Sequence, residues 1–221
     1  MACTRPPSAI PDLDLEADAG LGLANNDPVA LWADQSGNGN DATQGIGASQ
    51  PTFKLADGPG GLPCVNFDGA ADYLILPDLP YTQKYTVFAI CSLASSALHT
   101  IVSGSSGALQ FRLNNATKPQ IARSGGTLIA EASSVTGAGF HQSVVAWDGS
   151  TGIFWIDGVL AGSQTNPTSL SVNPINRVGI DGADSNDFFN GSICMIQVFT
   201  NVLALDQIEA QMAANTLRWG V

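Results

Sequence analysis

The stretch Trp32-Ala33-Asp34-Gln35-Ser36-Gly37-Asn38-Gly39-Asn40-Asp41 sets one large apolar side chain ahead of a run of oxygen-bearing residues and glycines. Asp and Asn bond the local backbone in Asx-turns, and Gly supplies positive φ. The run therefore reads as a tight loop. Trp32 is expected in the core or under the loop, with its indole NH satisfied locally. A second reading stays open. Ca²⁺ takes about six to eight oxygens and needs a backbone free to curl around it. On that reading Asp34, Asn38, Asn40 and Asp41 are the ligands. No Glu closes the loop and no helix leads in, so it is not an EF-hand.

Working outward, the chain has 221 residues, enough for one large all-β domain with a real core and no staples. Charged residues are only 12% of the chain, so Ser, Thr, Asn, Gln and Gly must cover the surface. The net charge of −11 argues against nucleic acid and against anionic membranes as partners. Sixteen Asp stand against three Glu, which favours turns and caps over helix faces. No run is long and apolar enough for a membrane span, and the first residues contain no apolar secretory core.

Turn signals recur every eight to twelve residues from about residue 60 onward. Strands are expected over 64–67, 73–76, 85–93, 98–103, 108–113, 120–123, 127–132, 139–146, 152–156, 159–161, 177–180 and 191–200. A further strand is expected at 29–32. Tyr85–Leu93 (YTVFAICSL) is almost wholly apolar and suits a strand buried on both faces. Asp68-Gly69-Ala70-Ala71-Asp72 reads as a hairpin turn, as do Asp148-Gly149 and Asp157-Gly158. Residues 13–60 read as mostly loop. Only 205–217 carries a helical period, through Leu205, Ile208, Met212 and Leu217, and it is expected to plug one end of the sandwich. Residues 1–12 form a Pro-rich extended arm. Arg5, Pro6 and Pro7 are its candidate assembly contacts. Residues 13–221 form one domain.

The four cysteines, Cys3, Cys64, Cys91 and Cys194, permit two disulfides, but their spacing selects none. Cys91 and Cys194 lie in apolar runs and read as buried free thiols. Asp181-Gly182-Ala183-Asp184-Ser185-Asn186-Asp187 is a second acidic loop, with Asp181, Asp184 and Asp187 as alternative metal ligands or turn residues. Carbohydrate binding needs aromatic faces at a rim or concave surface, and the candidates are Tyr73, Tyr81, Trp147 and Trp155. Retaining glycosidases need two carboxylates about 5 Å apart. Glu131 and Glu209 have no acidic strand partner, and Glu16, though it neighbours Asp14 and Asp18, lies in a stretch that follows the Pro-rich arm and precedes a loop, so no enzyme is expected.

Four stretches carry a family resemblance. They are Trp32–Gln44 with Gln50-Pro51-Thr52; Val65-Asn66-Phe67-Asp68-Gly69 through Asp72-Tyr73-Leu74; Phe154-Trp155-Ile156-Asp157-Gly158; and Phe189-Asn190-Gly191-Ser192-Ile193 through Leu217-Arg218-Trp219-Gly220. The chain resembles the bacterial and phage laminin-G-like domains of the concanavalin A-like lectin/glucanase superfamily over residues 13–220. The resemblance implies an antiparallel β-sandwich, a jelly roll of two curved sheets, with one short C-terminal helix. It implies no single activity. Many relatives carry an acid after the Gly-x-Ile stretch, where this chain has Ser192-Ile193-Cys194-Met195-Ile196.

The expectation is a non-enzymatic binding or coating protein. The preferred setting is a phage virion surface, as head decoration or tail-associated protein, in a homo-oligomer such as a homotrimer. Its partners there are capsid or tail proteins, and it also adheres to host glycans. The alternative is a carbohydrate-binding module that is extracellular or on a bacterial surface. A glycoside hydrolase is the least favoured reading.

Overall fold

The computed structural model describes residues 9–19, 21–80, 82–95, 97–104, 108–114, 118–123, 127–132, 139–166, 173–182 and 187–221. Their strands, in chain order, are β1 (Leu13–Glu16), β2 (Leu31–Trp32), β3 (Ala42–Thr43), β4 (Thr52–Lys54), β5 (Cys64–Asp68), β6 (Leu74–Ile75), β7 (Tyr85–Leu93) and β8 (His99–Gly104). After them come β9 (Leu109–Asn114), β10 (Lys118–Arg123), β11 (Thr127–Glu131), β12 (His141–Trp147), β13 (Thr151–Ile156), β14 (Val159–Thr165), β15 (Ile175–Val178) and β16 (Asn190–Phe199). The helix α1 (Leu205–Trp219) closes the chain. The expected strands and helix are present, with ends shifted by a few residues.

All pairings are antiparallel, and the strands form two sheets. One runs β14-β13-β12-β7-β16-β5-β4 with β1 added on β16; the other runs β11-β10-β9-β8-β15-β6-β3-β2. The core between them is apolar. Leu13, Phe67, Val87, Trp147, Phe154 and Val198 enter from the first sheet, and Leu74, Phe111, Ile121 and Val178 from the second. β7 is central and is buried on both faces over its first seven residues, as its composition requires.

Three expectations are corrected. Asp68–Asp72 is not a hairpin turn, because β5 lies in the first sheet and β6 in the second. Asp68 accepts N–H bonds from Ala70, Ala71 and Asp72, which curls the chain across the edge of the sandwich. The loop-rich segment before residue 60 contains β1 and β4, both too short for a period to register. Finally, α1 does not plug an end. It lies on the outer face of the first sheet, with Ile208, Met212 and Trp219 packed against Phe88, Ile90, Val144 and Trp155.

A buried amide network pins the helix there. Gln142 Nε2 donates to Met212 O and Thr216 Oγ1, both at 3.2 Å. Gln211 Nε2 donates to Gln197 Oε1 and Asn215 Oδ1, both at 3.0 Å. At the far end Arg218 forks onto Asp18 and also pairs with Glu16. Glu16 and Asp18 thus hold the last helical turn. The outermost strands of the two sheets, β14 and β11, are tied by side chains. Gln164 Oε1 accepts Glu131 N–H at 3.0 Å, and Asn166 Nδ2 donates to Ile129 O at 3.0 Å.

Candidate functional site

On the second sheet alternate residues face away from the core. In β9, Leu109, Phe111 and Leu113 point inward, which sends Gln110 and Arg112 outward. In β10, Ile121 points inward and sends Gln120 and Ala122 outward. The register then aligns Thr100, Arg112, Gln120 and Glu131 across β8, β9, β10 and β11.

This row is one continuous hydrogen-bonded chain. Gln110 Nε2 donates to Thr100 Oγ1 at 2.7 Å, and Arg112 Nη1 donates to Gln110 Oε1 at 3.2 Å. Arg112 Nε donates to Gln120 Oε1 at 2.9 Å, and Gln120 Nε2 donates to Glu131 Oε2 at 2.9 Å. Lys118 Nζ closes the row on Glu131 Oε1 at 2.9 Å. Arg112 is only 4% exposed and Gln110 is fully buried. Burial lowers the Arg112 pKa, while Asp187 and Asp181 favour its charge. Nη1 lies 3.9 Å from Asp187. The hydrogen bond from Lys118, outweighing burial and helped by Gln120, holds the Glu131 carboxyl below its usual range.

Beside the row lies a pocket of about 300 Å³ lined by Tyr73, Arg177, Ile180, Gly182 and Phe188. The polar face leads into it. Ser103 is opposite Gln110 on one side and Arg177 on the other. Its Oγ donates to Ile180 O at 2.7 Å and accepts Gly182 N–H at 2.9 Å, fixing one pocket wall. Tyr73 is held through its backbone by Ser49 O and by the Gln44 amide. Two aromatic residues, Tyr73 and Phe188, and Arg177 thus line one opening.

The other candidates are distributed differently. Trp147 is fully buried between the sheets, which corrects its assignment as a rim aromatic. Trp155 faces α1 and is 6% exposed. It floors a separate cavity of about 400 Å³ lined by Ala146, Ile153, Leu160, Leu203 and Ile208, with Glu209 as its one charged group. That lining offers a sugar few hydrogen bonds. Tyr81, Asp184, Arg5, Pro6 and Pro7 lie outside the described residues.

The loop at 34–41 is built as Asx-turns. Asp34 Oδ1 accepts from Asp14 N and Ser36 N, both at 2.9 Å; Oδ2 accepts from Asn40 N at 2.9 Å and Ser36 Oγ at 2.7 Å. Burial raises its pKa, but these bonds outweigh burial and leave it lowered. Asp41 Oδ1 accepts Asp34 N–H at 2.8 Å. The Asn38 and Asn40 amides donate to Asp12 O at 3.3 and 2.7 Å. These bonds hold the start of β1 through the Asp34 carboxylate and the Asn38 and Asn40 amide nitrogens. Trp32 is buried as expected, but its indole NH has no partner among the described residues. In the second acidic loop residues 183–186, including Asp184, lie outside the described residues, while Asp187 pairs with the Arg112 guanidinium at 3.9 Å and Asp181 also favours its charge. Among the described residues no three His, Cys, Asp or Glu side chains converge on a common point.

Sequence reasoning missed Arg112, Gln120, Glu131, Arg177 and Phe188. The available signal was the strict alternation Gln110-Phe111-Arg112-Leu113 followed by Gln120-Ile121-Ala122. It marks a sheet whose outer face is polar but carries a long, rigid cation.

Fold and site together define a lectin-type β-sandwich with a polar outer sheet. The chain belongs to a laminin G family of the concanavalin A-like lectin/glucanases superfamily, whose description matches residues 68–209. No curated protein matches its sequence. Among solved structures it is similar to domain 4 of AbnA, a GH43 extracellular arabinanase from Geobacillus stearothermophilus, in complex with arabinotriose. Identity there is 16% over 93% of this chain and 99% of that one, with a TM-score of 0.62. It is also similar to the ligand binding domain of botulinum neurotoxin serotype D in complex with N-acetylneuraminic acid, at 14% identity over 96% of this chain and 54% of that one, TM-score 0.59. A third is Trypanosoma rangeli sialidase, at 14% identity over 98% of this chain and 36% of that one, TM-score 0.60. The chain thus spans about half of the neurotoxin domain and about a third of the sialidase. At these identities the likeness establishes the fold.

Proposed function

We propose that this protein is a non-enzymatic carbohydrate-binding module whose ligand enters the pocket of Tyr73, Arg177 and Phe188. The observation that carries the reading is the meeting of two aromatic rings and a guanidinium on the polar outer face of a rigid sheet. A pocket of about 300 Å³ is at the small end for ligand sites and suits one or two sugar rings. The buried row beneath fixes the face in advance, which lowers the cost of ordering it on binding. The arabinotriose and N-acetylneuraminic acid held by the two similar domains support the choice of ligand class.

Binding rather than hydrolysis is supported by the pocket lining, which among the described residues includes no carboxylate side chain. The test is binding to a panel of soluble polysaccharides in affinity gels, with product analysis in parallel. Retardation without released sugars is expected. Hydrolysis, or no retardation by any polysaccharide, would overturn the reading.

A second reading concerns the setting, a virion surface component assembled with further copies of this chain. It is supported by the start of β14, which lies away from the Gln164 and Asn166 ties to β11 and has no charged residue in a chain of net charge −11. Val159 and Leu160 on it are 69% and 62% exposed. An uncharged edge lets copies approach without repulsion. Light scattering should report an oligomer, and peptide mapping of purified particles should find the chain. A monomer absent from particles would contradict this setting while leaving glycan binding intact.

A further inference from the structure

In the β5–β16 ladder Asn190, Gly191, Ser192 and Ile193 lie opposite Asp68, Phe67, Asn66 and Val65. Cys194 and Cys64 come next after that ladder's last pair, Ile193 opposite Val65, at the point where β16 changes partner and Cys194 O accepts the Ala17 N–H at 2.9 Å. Both side chains are fully buried on the helix side of the sheet and belong to one packed cluster. Cys91 points to the other face, into the core between the sheets. All three thiols are free in this structure. Neighbouring strands in a sheet lie about 4.7–4.9 Å apart. That lies inside the window of about 4.4–6.8 Å that a disulfide spans.

Among the described cysteines the surroundings favour this pair over one with Cys91. The hydrogen bond from Cys194 outweighs burial and lowers the Cys64 pKa, while burial and the neighbouring Cys64 push the Cys194 thiol up. One sulfur is therefore disposed to act as thiolate and the other to follow it. Backbone packs closely over them, since a Cβ added at Gly58 would lie 3.2 Å from Cys194 Sγ. Only the short strand β4 separates β5 from the edge of the sheet.

We propose that Cys64 and Cys194 are a disulfide-forming site that closes in the presence of a small-molecule disulfide and staples β5 to β16. The Cys64 thiolate attacks one sulfur of the small disulfide, breaking its S–S bond and expelling one thiolate. Cys194 then loses its proton and attacks the Cys64 sulfur of the mixed disulfide, expelling the second thiolate. Two protein thiols and one small disulfide become one protein disulfide and two small thiols. Because neither sulfur is exposed, exchange proceeds during folding or when the β4–β5 edge opens. The closed form loses that opening mode.

The test uses the full chain, reduced and unfolded, then refolded in a glutathione redox buffer, quenched with iodoacetamide and mapped by mass spectrometry. A parallel sample of native protein is incubated with oxidised glutathione. The expected result is a Cys64–Cys194 linked peptide in either sample, Cys91 still alkylated after unfolding, and a melting temperature above that of the reduced form. In Cys194→Ala, Cys64 is expected to stop at the mixed disulfide and gain the mass of one glutathione. Full alkylation of both Cys64 and Cys194 in both samples would overturn the proposal, as would linkage of Cys64 to Cys3 or Cys91.

Discussion

Arg112 Nε donates to Gln120 Oε1 at 2.9 Å across the outer face of the second sheet, with both side chains almost wholly buried. The pair joins a cation answered by Asp181 and Asp187 to an amide that itself donates to Glu131. Removing either partner strands the other. Arg112→Met keeps much of the side-chain volume but leaves buried acceptors and counter-charges unmatched, at a cost of about 3 kcal/mol. Arg112→Lys keeps the charge and loses the fork, and should cost less. Urea unfolding of the two variants checks the order; a Met variant as stable as the parent would contradict it.

Asp14 is opposite Gln197 in the β1–β16 ladder, accepts its amide at 3.3 Å through Oδ2, and leaves Oδ1 buried without a partner. Burial first, then the nearby Glu16, raise its pKa to about 7. The folded state therefore holds a proton that the unfolded state releases near its ordinary value of 3.8. The sign follows from linkage: stability from this group is full below that ordinary value and falls as pH rises toward the folded value. Asp14→Asn should remove this slope. Because the side chain is partly exposed, the gain at pH 8 is on the order of 2 kcal/mol, below the full linkage value. Thermal melts from pH 4 to 8 check it. An unchanged slope in the variant would show that Asp14 is not the group.

Gln142 connects sheet and helix, donating to Met212 O and Thr216 Oγ1 while Asn215 donates back to its Oε1 at 3.4 Å. Gln142→Leu would leave these buried groups without partners and cost about 2 kcal/mol or more. Hydrogen exchange should then speed up in α1 before it does in β7. Uniform acceleration would contradict the helix as a separately opening unit.

Gly191 has φ of +147°, and a Cβ there would meet Ser92 O at 2.1 Å. Gly191→Ala must push β16 away from β7 at the centre of the first sheet, and more than about 3 kcal/mol of stability should go with it. Soluble expression with an unshifted melting temperature would contradict this.

These residues also mark how far sequence could lead. The Gly191 stretch and the 34–41 loop identified the family because backbone geometry fixes their residue types. β7 was legible because burial on both faces leaves only apolar residues. The sheet switch at Asp68–Asp72 was not, since an Asp-Gly signal marks a reversal without saying which sheet receives the next strand. Most of the site was hidden for a related reason. Tyr73 was a candidate on its type alone, but Arg177, Arg112 and Gln120 become one surface only through the register of β15, β8, β9 and β10. Trp147 was misplaced because a tryptophan beside an Asp-Gly turn can face either way, and here the period sends it inward.

Two aromatics, Tyr73 and Trp155, lie in separate cavities, and only one of them is expected to meet the sugar. Calorimetric titration of the parent, Tyr73→Ala, Arg177→Ala and Trp155→Ala with arabinotriose and with an oligosaccharide ending in N-acetylneuraminic acid tests this directly. The parent is expected to bind at least one of them, with binding weakened about tenfold or more by Tyr73→Ala and by Arg177→Ala and unchanged in folded Trp155→Ala. No binding by the parent, or a loss confined to Trp155→Ala, would contradict this expectation.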